Sequence, residues 1–123
     1  MRCPCGTGQA LDECCGRIHG GAAAATAEQL MRSRYSAFAI GDTPYLLRSW
    51  HSSTRPRTIA LDAGQEWTRL IIVSSDKGGL FDQEGTVEFT ALYTHRGRAD
   101  ELHERSQFSR ENGAWVYVTA LPR

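Results

Sequence analysis

The sequence predicts an α+β domain in which a few helices precede an antiparallel β-sheet, with a small cysteine-rich segment in front of them. Three observations along the 123 residues support this prediction. Four cysteines occur within the first fifteen residues, and none follows. Apolar side chains then recur at helical spacing to about residue 50, and from Trp67 onward they alternate with polar ones. Helices followed by a run of strands are typical of the α+β class.

The cysteine-rich segment has the spacing of a metal site. Two close pairs, Cys3 with Cys5 and Cys14 with Cys15, stand on either side of eight residues that include glycines. Glycine lets the backbone turn tightly enough for its amides to point at the sulfurs. Four soft thiolates in a tetrahedral array favour Zn²⁺ and leave no open position for water. The spacing therefore predicts one structural zinc ion.

Other uses of these cysteines stay open at this point. An iron–sulfur centre also takes four thiolates, but this spacing is not one of the usual ferredoxin patterns. A thioredoxin-like dithiol would need C-x-x-C beside a βαβ unit, and the sequence contains neither. Cys14 and Cys15 could instead form a strained disulfide, and His19 could replace one thiolate. Zinc held by the four cysteines is the interpretation that the spacing favours, with His19 as a supporting or surface histidine.

A linker and a helix are predicted next. Residues 20–25, two glycines and four alanines, are typical of a linker, so that loss of the metal would loosen residues 1–20 and spare the rest. Thr26 and Gln29 form a capping-box pattern, which predicts a helix from Ala27 to about Ile40. Gly41 is its expected stop.

A second helix is predicted directly after this glycine. Asp42 or Thr43 is its expected cap, because proline is accepted in a first helical turn and Pro44 follows. Its apolar face includes Tyr45 and Trp50, and residues 51–54 end it. A short third segment is expected around Thr58–Leu61, after Arg55 and Pro56.

The rest of the chain predicts an antiparallel meander. Asn112-Gly113 is a strong signal for a two-residue hairpin, and Arg96-Gly97 and residues 76–79 mark the other turns. The β-branched and aromatic composition predicts the first strand, and two-residue alternation predicts the others. The four predicted strands cover Trp67–Val73, Val87–Thr94, Leu102–Ser109 and Trp115–Ala120.

Charge and hydropathy exclude some classes of function. Fourteen basic and fourteen acidic residues give a net charge of zero, which argues against nucleic-acid binding through clustered positive charge. No apolar run approaches the roughly 18 residues of a membrane span. Cys3 and Cys5 stand where a signal peptide would have its apolar core. We therefore expect a cytoplasmic protein with reduced cysteines and no membrane association.

Longer stretches of the sequence resemble known families. Cys3-Pro-Cys5-Gly-Thr-Gly, followed by Cys14-Cys15-Gly16, resembles the SEC-C motif, a zinc knuckle at the carboxyl tail of the bacterial protein-translocation ATPase. Residues 27–38, 45–56, 85–89 and 104–108 resemble the YchJ family. This resemblance implies a SEC-C knuckle over residues 1–20, with the four cysteines as zinc ligands. It also implies a nuclear transport factor 2-like cone over residues 26–123, in which helices pack on a curved antiparallel sheet and enclose a cavity.

Such cones host isomerases, dehydratases, hydrolases and plain binding modules, so the fold does not decide the function. Arg34, His51 and Glu104 are the candidate catalytic residues, since a buried carboxylate beside arginine or histidine can perform acid–base chemistry. Each has a structural alternative. Arg34 and Glu104 are expected to form a buried ion pair, and His51 suits the end of a helix. The polar residues that could face the cavity are Arg34, Tyr35, His51, Arg55, Glu88, His103, Glu104 and Tyr117.

Two hypotheses of function follow from the sequence. The first is an adaptor or ligand-binding module, in which the knuckle docks on an unidentified protein partner and the cone holds a small apolar ligand. The second is a small enzyme of the isomerase, dehydratase or hydrolase type that acts in the cavity. The first is preferred, because the strongest motif is structural and no catalytic set is complete.

Overall fold

The computed structural model describes residues 1–122 and confirms the α+β class. A short 3₁₀ turn at Leu11–Glu13 precedes three α-helices, and four strands follow them. No helix among the described residues is long and apolar enough to cross a membrane. The elements are α1 (Cys15–His19), α2 (Ala27–Ile40), α3 (Thr43–Arg48), β1 (Gln65–Lys77), β2 (Glu84–His95), β3 (Arg98–Glu111) and β4 (Ala114–Leu121).

Both predicted helices begin at their expected caps and α2 ends at its expected glycine, but α3 ends at Arg48, before the predicted Trp50, which pairs with Tyr117 of β4 instead. The Thr26 hydroxyl oxygen accepts a hydrogen bond from the Gln29 amide at 3.1 Å, which satisfies one free donor of α2. Gly41 ends α2 in the left-handed conformation, with φ of 81°. The Asp42 carboxylate then accepts from the Tyr45 amide at 3.1 Å and caps α3.

The third segment expected around Thr58–Leu61 forms neither helix nor strand. The chain leaves α3 beside β4, where the Thr54 hydroxyl donates to the Val118 carbonyl at 2.7 Å. It must then reach β1, which lies at the opposite edge of the sheet. Residues 55–64 run as an irregular connection across that distance, because a helical turn would shorten it.

The sheet is an antiparallel meander in the order β1-β2-β3-β4. Two of its connections are two-residue hairpins, one as predicted at Asn112-Gly113 and one at Arg96-Gly97, where only a turn was predicted. Arg96 and Gly97 have φ of 52° and 85°, and Asn112 and Gly113 have φ of 54° and 84°. Positive φ at both central residues matches the right-handed twist of the flanking strands. These local signals set the register of β2 against β3 and, as far as Phe108 and Tyr117, of β3 against β4, where the register then shifts at Val118.

Two β-bulges in β1 change which side chains face the helices. The register against β2 shifts at Thr68 and again at Val73. Simple alternation would place Trp67 and Val73 on one face, but Val73 is 53% exposed while Leu70 is buried. The bulged strand bends, and this curvature opens space between the sheet and α2.

The main hydrophobic core lies between α2 and the inner face of the sheet. A second, smaller core joins the cysteine-rich segment to the helices. The main core comprises Ala27, Leu30, Met31, Tyr35, Leu70, Val87, Phe89, Ala91, Phe108 and Trp115. The second core comprises Ile18, Ala37, Tyr45 and Leu46.

Hydrogen bonds reinforce the second core. His19 Nε2 lies 2.7 Å from the Ser33 carbonyl oxygen, and Arg48 donates to the His19 carbonyl at 2.6 Å. The cysteine-rich segment is therefore packed on α2 and α3, through contacts that its sequence did not predict.

Candidate functional site

The four cysteines come together at the amino terminus. Their Sγ atoms all lie within 4.8 Å of one another, and those of Cys5 and Cys14 are 3.6 Å apart. A tetrahedron with Zn–S bonds of about 2.3 Å has sulfur–sulfur edges of about 3.8 Å. Cys3, Cys5 and Cys15 are buried, and Cys14 is partly exposed. The cluster can therefore hold a metal ion with little change in its geometry.

The backbone of residues 1–14 explains why the sulfurs converge. Gly6 and Gly8 have φ of 90° and 86°, which residues with a side chain rarely adopt. These two positions turn the chain back on itself. The Cys3 amide can then donate to the Gln9 carbonyl at 2.8 Å, and the Leu11 amide to the Met1 carbonyl at 2.9 Å. The 3₁₀ turn then carries Cys14 and Cys15 to the first pair.

The thiol groups shift one another's pKa values in opposite directions. A hydrogen bond with Cys15 lowers the pKa of Cys5 to about 4. The same hydrogen bond, together with burial, raises the pKa of the Cys15 thiol, and burial raises that of Cys14. Neighbouring thiols therefore do not ionise together unless a cation offsets their charge. A bound divalent ion would supply that charge.

Polar groups on α2 and in the amino-terminal turn lie beside the sulfur cluster. The Ser36 hydroxyl lies 3.4 Å from Cys3 Sγ, and Arg32 donates to the Cys5 carbonyl at 2.9 Å. The Thr7 hydroxyl lies 3.2 Å from Cys14 Sγ. His19 points instead toward α2 and α3, where it contacts the Tyr45 ring. Nothing in the sequence marks Ser36 and Arg32 as neighbours of the sulfurs, because they share a helix with ordinary core residues and lie far from the cysteines in the chain.

A cavity of about 190 Å³ lies between α2 and the inner face of the sheet. Most of its wall is apolar, and four polar side chains interrupt it. The apolar part includes Met31, Phe38, Trp67, Phe89, Ala91 and Leu102. The polar side chains are Arg34, Glu104, Ser106 and Tyr117. Tyr35 and Trp50 complete the wall.

Arg34 is a buried cation on this wall, only 4% exposed. Its Nη1 donates to the Leu46 carbonyl at 2.8 Å and to the Ser49 hydroxyl at 2.7 Å. Its guanidinium carbon lies 4.9 Å from the Trp50 ring centre and 4.6 Å from that of Tyr117. Burial lowers the pKa of Arg34 to about 10, so it remains charged at neutral pH.

The expected ion pair between Arg34 and Glu104 is absent from the described residues, and that expectation was wrong. The Glu104 carboxylate accepts from the Ser106 hydroxyl at 2.6 Å and from the Tyr117 hydroxyl at 3.4 Å. Tyr117 contacts both charged groups and keeps them apart. The structure thus brings Arg34 and Glu104 to one cavity without joining them.

Two further polar groups beside the cavity have no hydrogen-bond partner. The Tyr35 hydroxyl and the Trp50 indole nitrogen are buried and unpaired within the described chain. Burial raises the pKa of Tyr35 to about 12. Buried polar groups nearly always have a hydrogen-bond partner, so two buried groups without one beside the same cavity are unusual.

The remaining candidates lie outside the cavity. His51 follows α3 at the edge of β4, where its amide donates to the Tyr117 carbonyl at 2.7 Å. Its Nδ1 accepts from the Ser53 amide at 3.0 Å, and its Nε2 lies 3.7 Å from Glu111. His103 Nε2 lies 2.6 Å from the Glu88 carboxylate. Neither His51 nor His103 lines the cavity with Arg34 and Glu104.

Comparison with known families accounts for most of the chain. The family model described as "YchJ, middle NTF2-like domain" matches residues 26–120. The chain belongs to the YchJ family. Its sequence is 55% identical to the UPF0225 protein of Streptomyces coelicolor, over 94% of this chain and 91% of that protein. It is 51% identical to the UPF0225 protein of Corynebacterium glutamicum, over 96% and 94% of the two chains.

Two solved structures resemble this YchJ-family chain, and both are described as SEC-C motif containing proteins. The solution structure of the protein from Rhodopseudomonas palustris has a TM-score of 0.84 and 32% identity, covering 100% of this chain and 99% of that one. The crystal structure of the protein from Psychrobacter arcticus has a TM-score of 0.77 and 25% identity, covering 98% and 83%. The cysteine cluster and the cone thus occur in the combination that the sequence predicted.

The buried tyrosines of this YchJ-family protein predict a loss of stability in alkaline solution. Burial raises the pKa of Tyr35 and of Tyr117 to about 12, whereas an unfolded tyrosine ionises near 10. The folded state therefore binds more protons between about pH 10 and 12, and stability falls as the pH rises through this range. The lowered pKa of Arg34 acts in the opposite direction and offsets part of the loss.

Urea unfolding at a series of alkaline pH values measures this effect. Tyr35→Phe removes one of the ionising groups, so the pH dependence of its unfolding free energy should be flatter than that of the wild type. A wild-type stability that is constant or rises between pH 10 and 12 would contradict the prediction.

Proposed function

We propose that this protein is a zinc-bearing ligand-binding module. One structural zinc ion holds the amino-terminal segment on the helices, and the cavity binds a small, mainly apolar molecule. The observation that carries the proposal is the cavity of about 190 Å³ between α2 and the sheet. Protein interiors are packed closely enough that voids larger than a water are few. A cavity of roughly 150 Å³ already accepts one aromatic ring.

The chemistry of the cysteine cluster supports zinc as its metal. Four thiolates in tetrahedral array are typical of structural zinc sites, which use no water ligand and perform no catalysis. Arg2 donates to the Gly8 carbonyl at 2.6 Å and Arg17 to the Glu13 carbonyl at 3.1 Å, which places two cations near the negative cluster. The ion would order residues 1–19 and leave chemistry to the cavity.

The same thiolates support a reducing location. Zinc binding requires reduced cysteines, and thiols persist in the cytoplasm. We therefore place the protein in the cytoplasm. The exposed turn of residues 6–10 beside the metal cluster is the surface through which the knuckle would meet a protein partner.

An enzyme acting in the cavity is the second candidate, and one observation favours it. Glu104 places a carboxylate on a mainly apolar wall, with hydroxyl donors from Ser106 and Tyr117. Such a carboxylate could transfer a proton to or from a bound ligand, and Arg34 could stabilise negative charge that develops on it. Binding must precede this chemistry, so the test of binding comes first.

Nuclear magnetic resonance of the tryptophan indole N–H groups tests the binding proposal. Trp50 and Trp67 line the cavity, whereas the Trp115 indole donates to the Ala25 carbonyl at 3.3 Å, away from it. Titration with toluene or indole should shift the signals of Trp50 and Trp67 and leave that of Trp115 in place. The absence of any shift at millimolar ligand would overturn the proposal.

A matched pair of variants places the ligand in the cavity. Ala91 lines the cavity and Thr90 is its neighbour on β2 with the opposite orientation. Ala91→Leu should fill part of the cavity and weaken toluene binding by roughly tenfold or more, since each added methyl group takes space from the ring. Thr90→Leu should bind toluene as the wild type does. Equal binding by the two variants would show that the ligand sits elsewhere.

A further inference from the structure

We propose that the natural ligand of the cavity is a small carboxylate, an acid with an apolar body about the size of one ring, and that Arg34 binds its carboxylate group. This inference rests on the proposed ligand-binding function and adds the chemical class of the ligand. It is carried by the hydrogen bonds, the ring contacts and the charge around Arg34.

The donors of Arg34 are only partly used. A guanidinium has five N–H donors, two of them on each terminal nitrogen. Nη1 uses both of its donors, on the Leu46 carbonyl and the Ser49 hydroxyl. Nε and Nη2 make no hydrogen bond to the described residues. Among the described residues, the side-chain polar atoms that are both fully buried and without a hydrogen-bond partner are Tyr35 Oη and Trp50 Nε1. Nε and Nη2 of Arg34 are not among them, so these two donors are not fully enclosed by protein.

The neighbouring rings hold the guanidinium in place beside the cavity. The Trp50 and Tyr117 ring centres lie 4.9 Å and 4.6 Å from the guanidinium carbon, and the two rings are nearly perpendicular, at 88°. Two perpendicular rings cannot both stack on one plane, so the edge with the free donors remains available to a ligand. The edge formed by Nε and Nη2 presents two parallel N–H groups, which match the two oxygens of a carboxylate. A single carbonyl oxygen would use only one of them.

The charge of Arg34 points to the same ligand. It is 4% exposed and has no carboxylate within 4.0 Å among the described residues. A buried cation without a counter-ion is costly, and a bound carboxylate supplies that ion. Glu104 is the acidic group on the same wall, and its hydrogen bonds with Ser106 and Tyr117 keep it away from Arg34. The negative charge of Glu104 repels a bound carboxylate, so removal of that charge should strengthen carboxylate binding.

Three single-ring compounds of similar shape separate the ligand classes: benzoate, benzamide and toluene. Each is titrated into the full-length protein at neutral pH, with the Trp50 and Trp67 indole signals as readout. Benzoate should bind roughly tenfold or more tightly than benzamide, because charge-assisted bidentate hydrogen bonds are the strong ones. Failure of all three to bind would overturn the ligand-binding function itself. Equal binding of all three would leave that function standing and overturn the carboxylate class.

Two variants test the roles of the charged groups. Glu104→Gln removes the like charge on the wall, so it should tighten benzoate binding severalfold relative to the binding of uncharged benzamide by the same variant. Arg34→Lys keeps the charge and removes the paired donors, so it should reduce the preference for benzoate over benzamide. Circular dichroism shows whether Arg34→Lys folds, and if it does not, Glu104→Gln decides alone. Weaker benzoate binding by Glu104→Gln would overturn the proposal.

Discussion

Replacement of Cys5 by serine is expected to abolish metal binding and to lower the melting temperature of the whole domain. The Cys5 sulfur lies inside the four-thiolate cluster, so its loss removes one ligand of the tetrahedral site. In zinc-finger peptides, structural zinc supplies roughly 10–16 kcal/mol of folding free energy. Because Ile18 shares a core with Ala37 and Leu46, disorder in the amino-terminal segment should also loosen α2 and α3, whereas a linker at residues 20–25 alone would have spared them.

Elemental analysis and thermal circular dichroism measure the two effects. The wild type should contain one zinc ion per chain and the Cys5→Ser variant almost none. Ser36→Ala is the matched control, since its hydroxyl lies 3.4 Å from Cys3 Sγ without being a metal ligand. This variant should keep its zinc and melt close to the wild type. A Cys5→Ser variant with full metal content, or with an unchanged melting curve, would contradict the prediction.

Replacement of Phe108 by alanine is expected to cost about 3–5 kcal/mol of unfolding free energy. Phe108 is fully buried at the centre of the main core, with its ring centre 5.9 Å from that of Tyr117. Truncation loses the free energy gained by burying the ring and leaves a cavity in the core. The hydrogen bonds between β3 and β4 fix their backbones, so the strands cannot move to close that cavity. Such a loss is a large part of the stability of an ordinary domain.

Urea unfolding of the variant and of a matched control tests this expectation. Phe81 has the same side chain but is 94% exposed, so Phe81→Ala should change the unfolding free energy by less than about 0.5 kcal/mol. The midpoint should move for Phe108→Ala while the slope with denaturant stays the same. Similar losses in the two variants would mean that Phe108 does not hold the core together.

Local signals were enough to predict most of the secondary structure. The Thr26 cap, the Gly41 stop, the turn at Arg96-Gly97 and the hairpin at Asn112-Gly113 each depend on a few neighbouring residues. These conformational preferences act between near neighbours in the chain and do not depend on contacts with distant residues. The third segment around Thr58–Leu61 had no such signal, and its prediction failed.

The bulges in β1 show where local patterns stop being sufficient. Thr68 and Val73 are β-branched residues with strong strand propensity, and nothing in them marks an extra residue in the ladder. The bulges arise because β1 must bend with the sheet while it pairs with β2. That requirement exists only when the strands are assembled, and it moves Leu70 rather than Val73 into the core.

The candidate site also has a part that the sequence predicted and a part that it did not. The spacing of the four cysteines predicted their cluster, because close pairs joined by glycines can meet with few long-range contacts. The partners of Arg34 could not be predicted, since Leu46 and Ser49 reach it only after α3 packs on α2. The expectation of an ion pair with Glu104 assumed that two buried opposite charges must meet. Backbone and hydroxyl acceptors satisfied Nη1 instead.

The amino-acid sequence by itself determined the class of the fold, the starts of two helices and the end of the first, the hairpin at Asn112-Gly113 and the convergence of the cysteines. These features depend on preferences that act over a few residues. The family resemblance had implied the curved sheet and its cavity, but only the tertiary structure decided the docking of the amino-terminal segment through Ile18, the two bulges in β1 and the polar partners of Arg34 on the cavity wall. Each of these depends on packing between elements distant in the chain, where shape and hydrogen-bond partners are set by the assembled whole.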